Sequence, residues 1–408
     1  MRDDAAAGEQ HLEKHLKIDE YNDASLRPLR ILHLTTCSDR VGGAERMLID
    51  LARRADRKRW DLTFMTLADD GPVSAALAKA GWPVYSAQLS RATDLPLALI
   101  RIAAVLRRTQ PDVLHTHLWH AGLIGTLMRP FTNAQIVQTR HYEDFFLLRK
   151  MPVRVTLDKW VARRAAAIAA VSAGTKAHLL CNEQVSEHKI TVIENGVDIE
   201  QLGAYSRKEG HAKLDSEGIV GDPILLCAGT FDVRKGHIYL IKAFRGLVRK
   251  LPKAQLVLLG IGELMQTIRD QVKDLGLETS VHFLGYREDA HALMAGADVY
   301  LQPSIEEGFG LAVIEAMALN VPVVVSDVGG MKGTVEHGVT GIRVPPRDPD
   351  ALAHSIRELV SCPARAAQLA QAARATVHAR YSIQQIVNEY DAWYRRLLSY
   401  CRQPCASE

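Results

Sequence analysis

Short apolar runs alternate with longer amphipathic stretches along the whole chain. In the first half the runs fall at residues 29–35, 61–67, 83–87, 113–117, 135–139, 167–171 and 190–193. They are rich in Val, Ile and Leu, the pattern of strands buried on both faces. Residues 44–54, 95–107 and 173–182 carry helical periodicity between them. This alternation predicts a parallel sheet with helices on both sides. Residues 208–222 are polar, charged and glycine-containing, and read as a linker. The pattern then restarts, with runs at 223–228, 255–259, 281–284, 299–302, 322–326 and 342–344 and helical stretches that include 236–249 and 311–319. A last helix, 383–398, follows an N-cap candidate at Ser382. The expected fold class is α/β: two Rossmann-like, doubly wound domains facing a cleft. The expected division is an extension at 1–27, a first domain at 28–207, the linker at 208–222, a second domain at 223–380 and a C-terminal segment at 381–408.

Length agrees, since 408 residues are too many for one ordinary core. A net charge of +3 does not argue for a nucleic-acid partner. The six cysteines are dispersed and form no C-x-x-C pair, so neither a disulfide framework nor a zinc site is expected. Cys227 lies in an apolar run and reads as a buried small hydrophobe. The polar N-terminus lacks the apolar core of a secretory signal. No apolar run approaches the roughly 20 residues that span a bilayer. The expected location is the cytoplasm, at most peripheral on a membrane face.

In doubly wound sheets, ligands sit at the carboxyl ends of the strands, so loops after strands are where chemistry is sought. The first strand runs into Gly42-Gly43-Ala44-Glu45 and a helix. That arrangement admits an anion at the helix N-terminus, although a tight turn explains it equally well. The fourth strand ends as His115-Thr116-His117, and its two histidines, alternating along the strand, are read as pointing to opposite faces, against a shared metal. The fifth ends near Arg140-His141. In the second half, Thr230 to Gly236 carries Arg234 and Lys235 before a glycine and a helix, which suits a phosphate. Gly260 and Gly262 make a weak glycine pair after the next strand, and Gly329-Gly330 a later pair whose amides would cradle a diphosphate. The paired acids of Asp348-Pro349-Asp350 are better explained by an N-cap than by a metal.

The most informative stretch is Glu306-Glu307-Gly308-Phe309-Gly310-Leu311 followed by a helix that holds Glu315. Backbone amides from Gly308 to Leu311 would face an anion or sugar hydroxyls. Glu307 and Glu315, about two turns apart, are placed to face one cleft, and carboxylates accept paired hydrogen bonds from vicinal hydroxyls. Glu315 stands among Val313, Ile314, Ala316 and Met317, and a glutamate in so apolar a helix needs a partner.

Together these residues resemble the retaining glycosyltransferases of family 4, which have the GT-B fold. The resemblance covers nearly the whole chain after its N-terminal tail. It rests on the E-x7-E spacing of Glu307 and Glu315 and on Gly42 to Glu45, His115/His117, Ser172 with Lys176, Asn195 to Asp198 and Lys235-Gly236 in family order. It implies that the first domain binds the acceptor and the second a nucleotide-diphosphate sugar, and that the last helix crosses back onto the first domain. It implies Gly43 near the donor's phosphates or sugar, His117 near the reaction centre, Lys235 on the leaving diphosphate, Glu307 on the sugar and Glu315 on the ribose. Thr230, Arg234, Gly308, Phe309, Gly310 and Leu311 would complete the donor site, and Arg140 and His141 the acceptor side. Transfer of a hexose-type sugar with retention is implied, to a saccharide or lipid-linked acceptor, in cell-envelope glycan or glycolipid synthesis. UDP is favoured over GDP on family grounds, and neither a cofactor nor a metal is expected. Two positions depart from the pattern, Thr230 for an arginine and Gly333 for a glutamate. A sugar-nucleotide epimerase, a phosphorylase and a non-catalytic nucleotide-sugar-binding scaffold are the competing readings, and the Glu307/Glu315 pair with His117 and Lys235 weighs against them. Residues 147–164 carry six cations against Asp158, with Trp160 and aliphatics interleaved. Such a helix would lie on an anionic membrane, and a solvated basic face on an ordinary domain helix accounts for the same residues.

Overall fold

The computed structural model describes residues 27–36, 41–142 and 151–402. The predicted N-terminal extension up to residue 26, residues 38–40 of the first loop and residues 147–150 of the basic segment lie outside the described residues. Seven strands form the first sheet: β1 (Leu29–Thr35), β2 (Trp60–Thr66), β3 (Val84–Ser86), β4 (Val113–His117), β5 (Gln135–Arg140), β6 (Ala167–Ala170) and β7 (Ile190–Val192). Six form the second: β8 (Ile224–Ala228), β9 (Gln255–Leu259), β10 (Val281–Gly285), β11 (Val299–Gln302), β12 (Val323–Ser326) and β13 (Ile342–Val344). The orders are β3-β2-β1-β4-β5-β6-β7 and β10-β9-β8-β11-β12-β13, with neighbouring strands parallel throughout. Strand order reverses between β1 and β4 and again between β8 and β11, the positions at which doubly wound sheets place a ligand crevice outside the carboxyl ends of the strands.

The two-residue period of the strands divides each sheet's apolar side chains into two layers. Leu32 and Leu34 of β1 face Ile102 and Ile124 on one side, while Ile31 faces Leu48 on the other. In the second sheet Leu226 and Tyr300 pack on Ile314 and Met317, and Leu225 and Leu301 on Phe244 and Ile356.

Residues 208–222 are not the linker they suggest. A helix, Arg207–Ser216, begins on a Ser206 cap, and Leu214 is buried in the second sheet's core. Gly210 lies so close to the Gly296 backbone that a Cβ there would collide with it. The buried stripe of this helix is little more than Leu214 and Gly210, too small to register as hydrophobic periodicity.

The chain ends by crossing between the sheets. Helix Pro363–Arg380 buries Val377, and Tyr381 follows it, in the second core. Helix Ile383–Arg402 then buries Ile386, Tyr390, Trp393 and Tyr394 in the first. At the crossing point Val197 N donates to Tyr381 O at 2.9 Å and Ile383 N to Val197 O at 3.0 Å. Gly196 sits against Ile383 and Ile386 with no room for a Cβ. Asp391 anchors the crossing helix by accepting from Trp60 Nε1 at 2.7 Å and pairing with Arg59, and Arg395 of the same helix donates to it from Nε at 2.9 Å. No helix among the described residues is long and apolar enough to cross a membrane.

Candidate functional site

The loop after β8 is fixed from beneath. Phe231 is fully buried and stacks on His237 with ring centroids 4.3 Å apart, and burial pushes that imidazole down to about 4. Asp232 caps the next turn, accepting from Arg234 N at 2.9 Å and from the Arg234 guanidinium at 2.7 Å. Gly236 has φ +67°, and a Cβ there would strike the Pro303 carbonyl, so only glycine closes this turn. The result aims Lys235 along the carboxyl edge of the sheet, where Nζ lies 2.5 Å from Glu307 Oε2. The same oxygen accepts from Ser304 Oγ at 3.2 Å and Gln302 Nε2 at 3.4 Å. Arg234 sits beside both Asp232 and Glu306, 3.8 Å from the latter. Thr230 is exposed.

Glu307 opens the loop that leads into helix Leu311–Ala318. Gly310, at φ +92°, is its N-cap, and the geometry of a helix start leaves the Leu311 and Ala312 amides without an acceptor in their own helix. Phe309 is buried edge-on against Tyr381. Gly330 belongs to the same construction. Its N–H donates to Glu307 O at 2.9 Å, and a Cβ on it would collide with the Gly308 carbonyl. The Gly330 amide therefore braces the Glu307 loop and is not available to cradle a diphosphate. Glu315 has the partner that its apolar helix demands: His291 Nε2 lies 3.1 Å from Oε1. Asp348 caps helix Pro349–Ser361, accepting from Ala351 N at 2.9 Å.

The first domain meets this loop directly. Gly308 lies against the His141 carbonyl too closely for a side chain. Thr175, in the helix capped by Ser172, donates from Oγ1 to Gly308 O at 3.4 Å. A Cβ on Gly43 would lie 3.7 Å from the Leu311 side chain, which places the first glycine loop across from the N-terminus of the Glu315 helix. Behind them, Arg54 ties to Asp198 at 2.8 Å.

His115 and His117 of β4 do not point to opposite faces, as their alternation suggested. They share one side of the sheet, because strand side chains two residues apart project the same way. Their rings lie tilted at 30° to each other with centroids 4.2 Å apart. His33, which pairs with His115 in register across β1 and β4, joins them: His33 Nδ1 and His117 Nε2 are 3.0 Å apart. His115 is held at both nitrogens, by Tyr394 OH at 2.5 Å and Thr139 Oγ1 at 2.7 Å. Tyr390 OH lies 3.1 Å from the same threonine oxygen, so the crossing helix is hydrogen-bonded into the histidine layer. Ring nitrogens of His33, His115 and His117 all lie within 4.8 Å of one another, a spacing open to a metal ion. His33 stacks on His117 while His115 is tilted over it, and His33 and His117 are hydrogen-bonded to each other. Burial drives every one of these imidazoles toward neutrality: His33 to about 3, His141 to about 4, and His115 and His117 well down. His117 Nδ1 and His141 Nε2 have no hydrogen-bond partner among the described residues, which leaves His117 and His141, 5.8 Å apart, with hydrogen-bonding capacity beside the Gly308 loop.

Arg140 also differs from its expected acceptor-facing role. It is fully buried and paired with Asp158 and with Glu183, the latter at 2.9 Å. It holds helix Pro152–Arg164 to the sheet. A strand end alternates sides, so His141 faces the cleft region while Arg140 turns away from it. His33 and His291 are neighbours of the predicted site residues that the motifs did not point to. The strand parity of His33 with His115 was the available signal for the first, whereas nothing local marks the second.

The model of glycosyltransferase family 4 matches residues 41–201, and that of the glycosyl transferases group 1 matches residues 212–376. An uncharacterized glycosyltransferase of Methanocaldococcus jannaschii is 28% identical over 293 residues, 68% of this chain and 73% of that protein. The N-acetyl-alpha-D-glucosaminyl L-malate synthase of Bacillus anthracis is 29% identical over 313 residues, 75% of this chain and 80% of that protein. Anabaena HepE, solved with UDP and glucose, shares the fold with a TM-score of 0.81 at 24% identity, over 90% of this chain and 100% of that one. With one domain matched by each model and both sheets wound as the GT-B fold requires, the chain belongs to the family 4 type of glycosyltransferases.

Proposed function

We propose that this glycosyltransferase moves a hexose-type sugar from a nucleotide-diphosphate sugar to a saccharide or lipid-linked acceptor with retention of configuration. The observation that carries this reading is the convergence at the Gly308 loop. The Lys235–Glu307 pair at 2.5 Å, the open amides of Leu311 and Ala312, and Gly43 of the first domain meet around one point at the carboxyl edges of both sheets. In this reading the second domain holds the donor. Lys235, with Arg234 beside it, meets the leaving diphosphate, and the amides at the helix start add to that stabilisation. Glu307 faces the sugar and Glu315 the ribose. The neutral His117 imidazole offers a hydrogen bond at the reacting sugar. Attack from the leaving-group face by an acceptor in the first domain needs no protein nucleophile. UDP is the favoured base carrier, with GDP next, and HepE was solved with UDP and glucose. The Bacillus anthracis relative is named for a product built on N-acetylglucosamine. A role in cell-envelope glycan synthesis and a peripheral position on the cytoplasmic membrane face complete the proposal, the latter resting on the basic helix Pro152–Arg164.

A melting-temperature screen with UDP, GDP and their sugar conjugates, with and without EDTA, tests the donor assignment. A ligand present at a hundred times its Kd stabilises by about 2.7 kcal/mol. The expected outcome is an EDTA-insensitive rise that is largest for uridine nucleotides. No rise with any nucleotide would overturn the donor site. Release of nucleoside diphosphate only when acceptor is supplied separates transfer from epimerisation.

A further inference from the structure

The surroundings of Glu315 come from three elements. His291, on helix Ala290–Ala295, brings Nε2 to 3.1 Å from Oε1, with the two side chains only 10% and 12% exposed. Tyr205 sets its ring edge-on to His291 at 5.9 Å and 63°, which packs a second ring against the imidazole. Helix Gly43–Arg54 of the first domain contributes Asp50, whose carboxyl is pushed up to about 6 by burial, with the charges of Glu315 and Asp198 adding to the effect against Arg46 and Arg53.

Glutamate has three rotatable side-chain bonds, and fixing it costs rotamer entropy. Near Asp50 its carboxylate also meets like charge. A single donor on Oε1 settles both difficulties, because it fixes the plane of the carboxylate and offsets the repulsion. The second oxygen then has a defined direction. A vicinal diol is well recognised only by a carboxylate so oriented, since two hydroxyl donors must find two lone-pair directions at once.

We propose that His291 is a positioning residue: it holds the Glu315 carboxylate toward the two ribose hydroxyls of the donor nucleotide, and so sets the preference of the enzyme for ribonucleotides over deoxyribonucleotides. This role rests on the reading of Glu315 as the ribose ligand. His291 does not touch the nucleotide; it acts through Glu315.

Calorimetric titration of the full chain with UDP and 2′-deoxy-UDP, and with the GDP pair in parallel, tests this role. Wild type prefers the ribo form by tenfold or more. In His291→Ala, UDP binding weakens about tenfold while 2′-deoxy-UDP binding changes less than twofold, so the preference collapses. KM for the donor rises, and kcat falls less than threefold. His291→Gln, whose amide still donates to Oε1, recovers most of the preference. Should His291→Ala lower the melting temperature, His291→Gln against His291→Leu decides: a preference kept in Gln and lost in Leu supports the assignment. A preference equal in all variants overturns it, as does an equal loss of affinity for both nucleotides. A wild type that binds neither UDP nor GDP overturns the donor reading itself, and this assignment with it.

Discussion

His33, His115, His117 and His141 are all uncharged in the folded chain because burial removes the hydration that an imidazolium needs. Unfolded, each takes up a proton near pH 6.5. Between that value and the depressed folded values the unfolded chain binds more protons, so stability rises with pH and is lost as pH falls. With His33 at about 3 and His141 at about 4, each costs about 2 kcal/mol at pH 5 relative to neutral pH. Asp50, raised to about 6, works in the opposite direction by about 1 kcal/mol over the same range. Four histidines outweigh it. Thermal unfolding followed by circular dichroism from pH 7.5 to 5 should therefore show a fall in melting temperature that begins below pH 6.5. A flat profile would mean that these rings are hydrated or charged in the native state. At this scale the sequence was partly legible. Glu307 and Lys235 were visible as motif residues. Their mutual ion pair and the His33–His117 contact join residues 72 and 84 positions apart. Those contacts, like that of His291 with Glu315, exist only once the strands and helices that carry them are packed. The placement of His115 and His117 was legible in principle, since strand parity alone puts them on one side.

Among the elements, strands were the most readable. β1, β4, β9, β11 and β13 begin and end where their apolar runs do, because in a parallel sheet covered on both faces nearly every strand residue is apolar. Helices with little buried surface were harder. Arg207–Ser216 looked like a linker because its core contact rests on Leu214 and a glycine. Pro152–Arg164 read as a basic helix with one acid, and that acid, Asp158, lies buried against Arg140, so that only the helix's outer side is open. There Val153 is 71% and Trp160 37% exposed, and Arg164 lies over the Trp160 ring at 4.6 Å. An indole flanked by cations suits an anionic lipid interface. Flotation with vesicles containing phosphatidylglycerol should carry the protein upward, whereas neutral vesicles should not. Equal partitioning, or retention of flotation in Trp160→Ser with Arg164→Ser, would leave this face as a solvated helix surface.

At the scale of the molecule, the restart of the strand pattern near residue 223 revealed two sheets, and glycines before helices marked where they would face each other. The meeting itself is a matter of close approach: Gly308 against the His141 carbonyl, Gly43 opposite Leu311, and a last helix anchored through Asp391 and Tyr394. These contacts bring the amides of the Glu307 loop and the charge of Lys235 toward the first domain, where the acceptor is expected. The proposed transfer therefore depends on Lys235 as the group that stabilises a departing nucleoside diphosphate. The rate of nucleoside diphosphate release from the nucleotide sugar in the presence of acceptor, compared between wild type and Lys235→Ala at equal melting temperature, probes that dependence without an intermediate step. A fall in kcat of about a hundredfold or more is predicted; an unchanged rate would contradict the assignment.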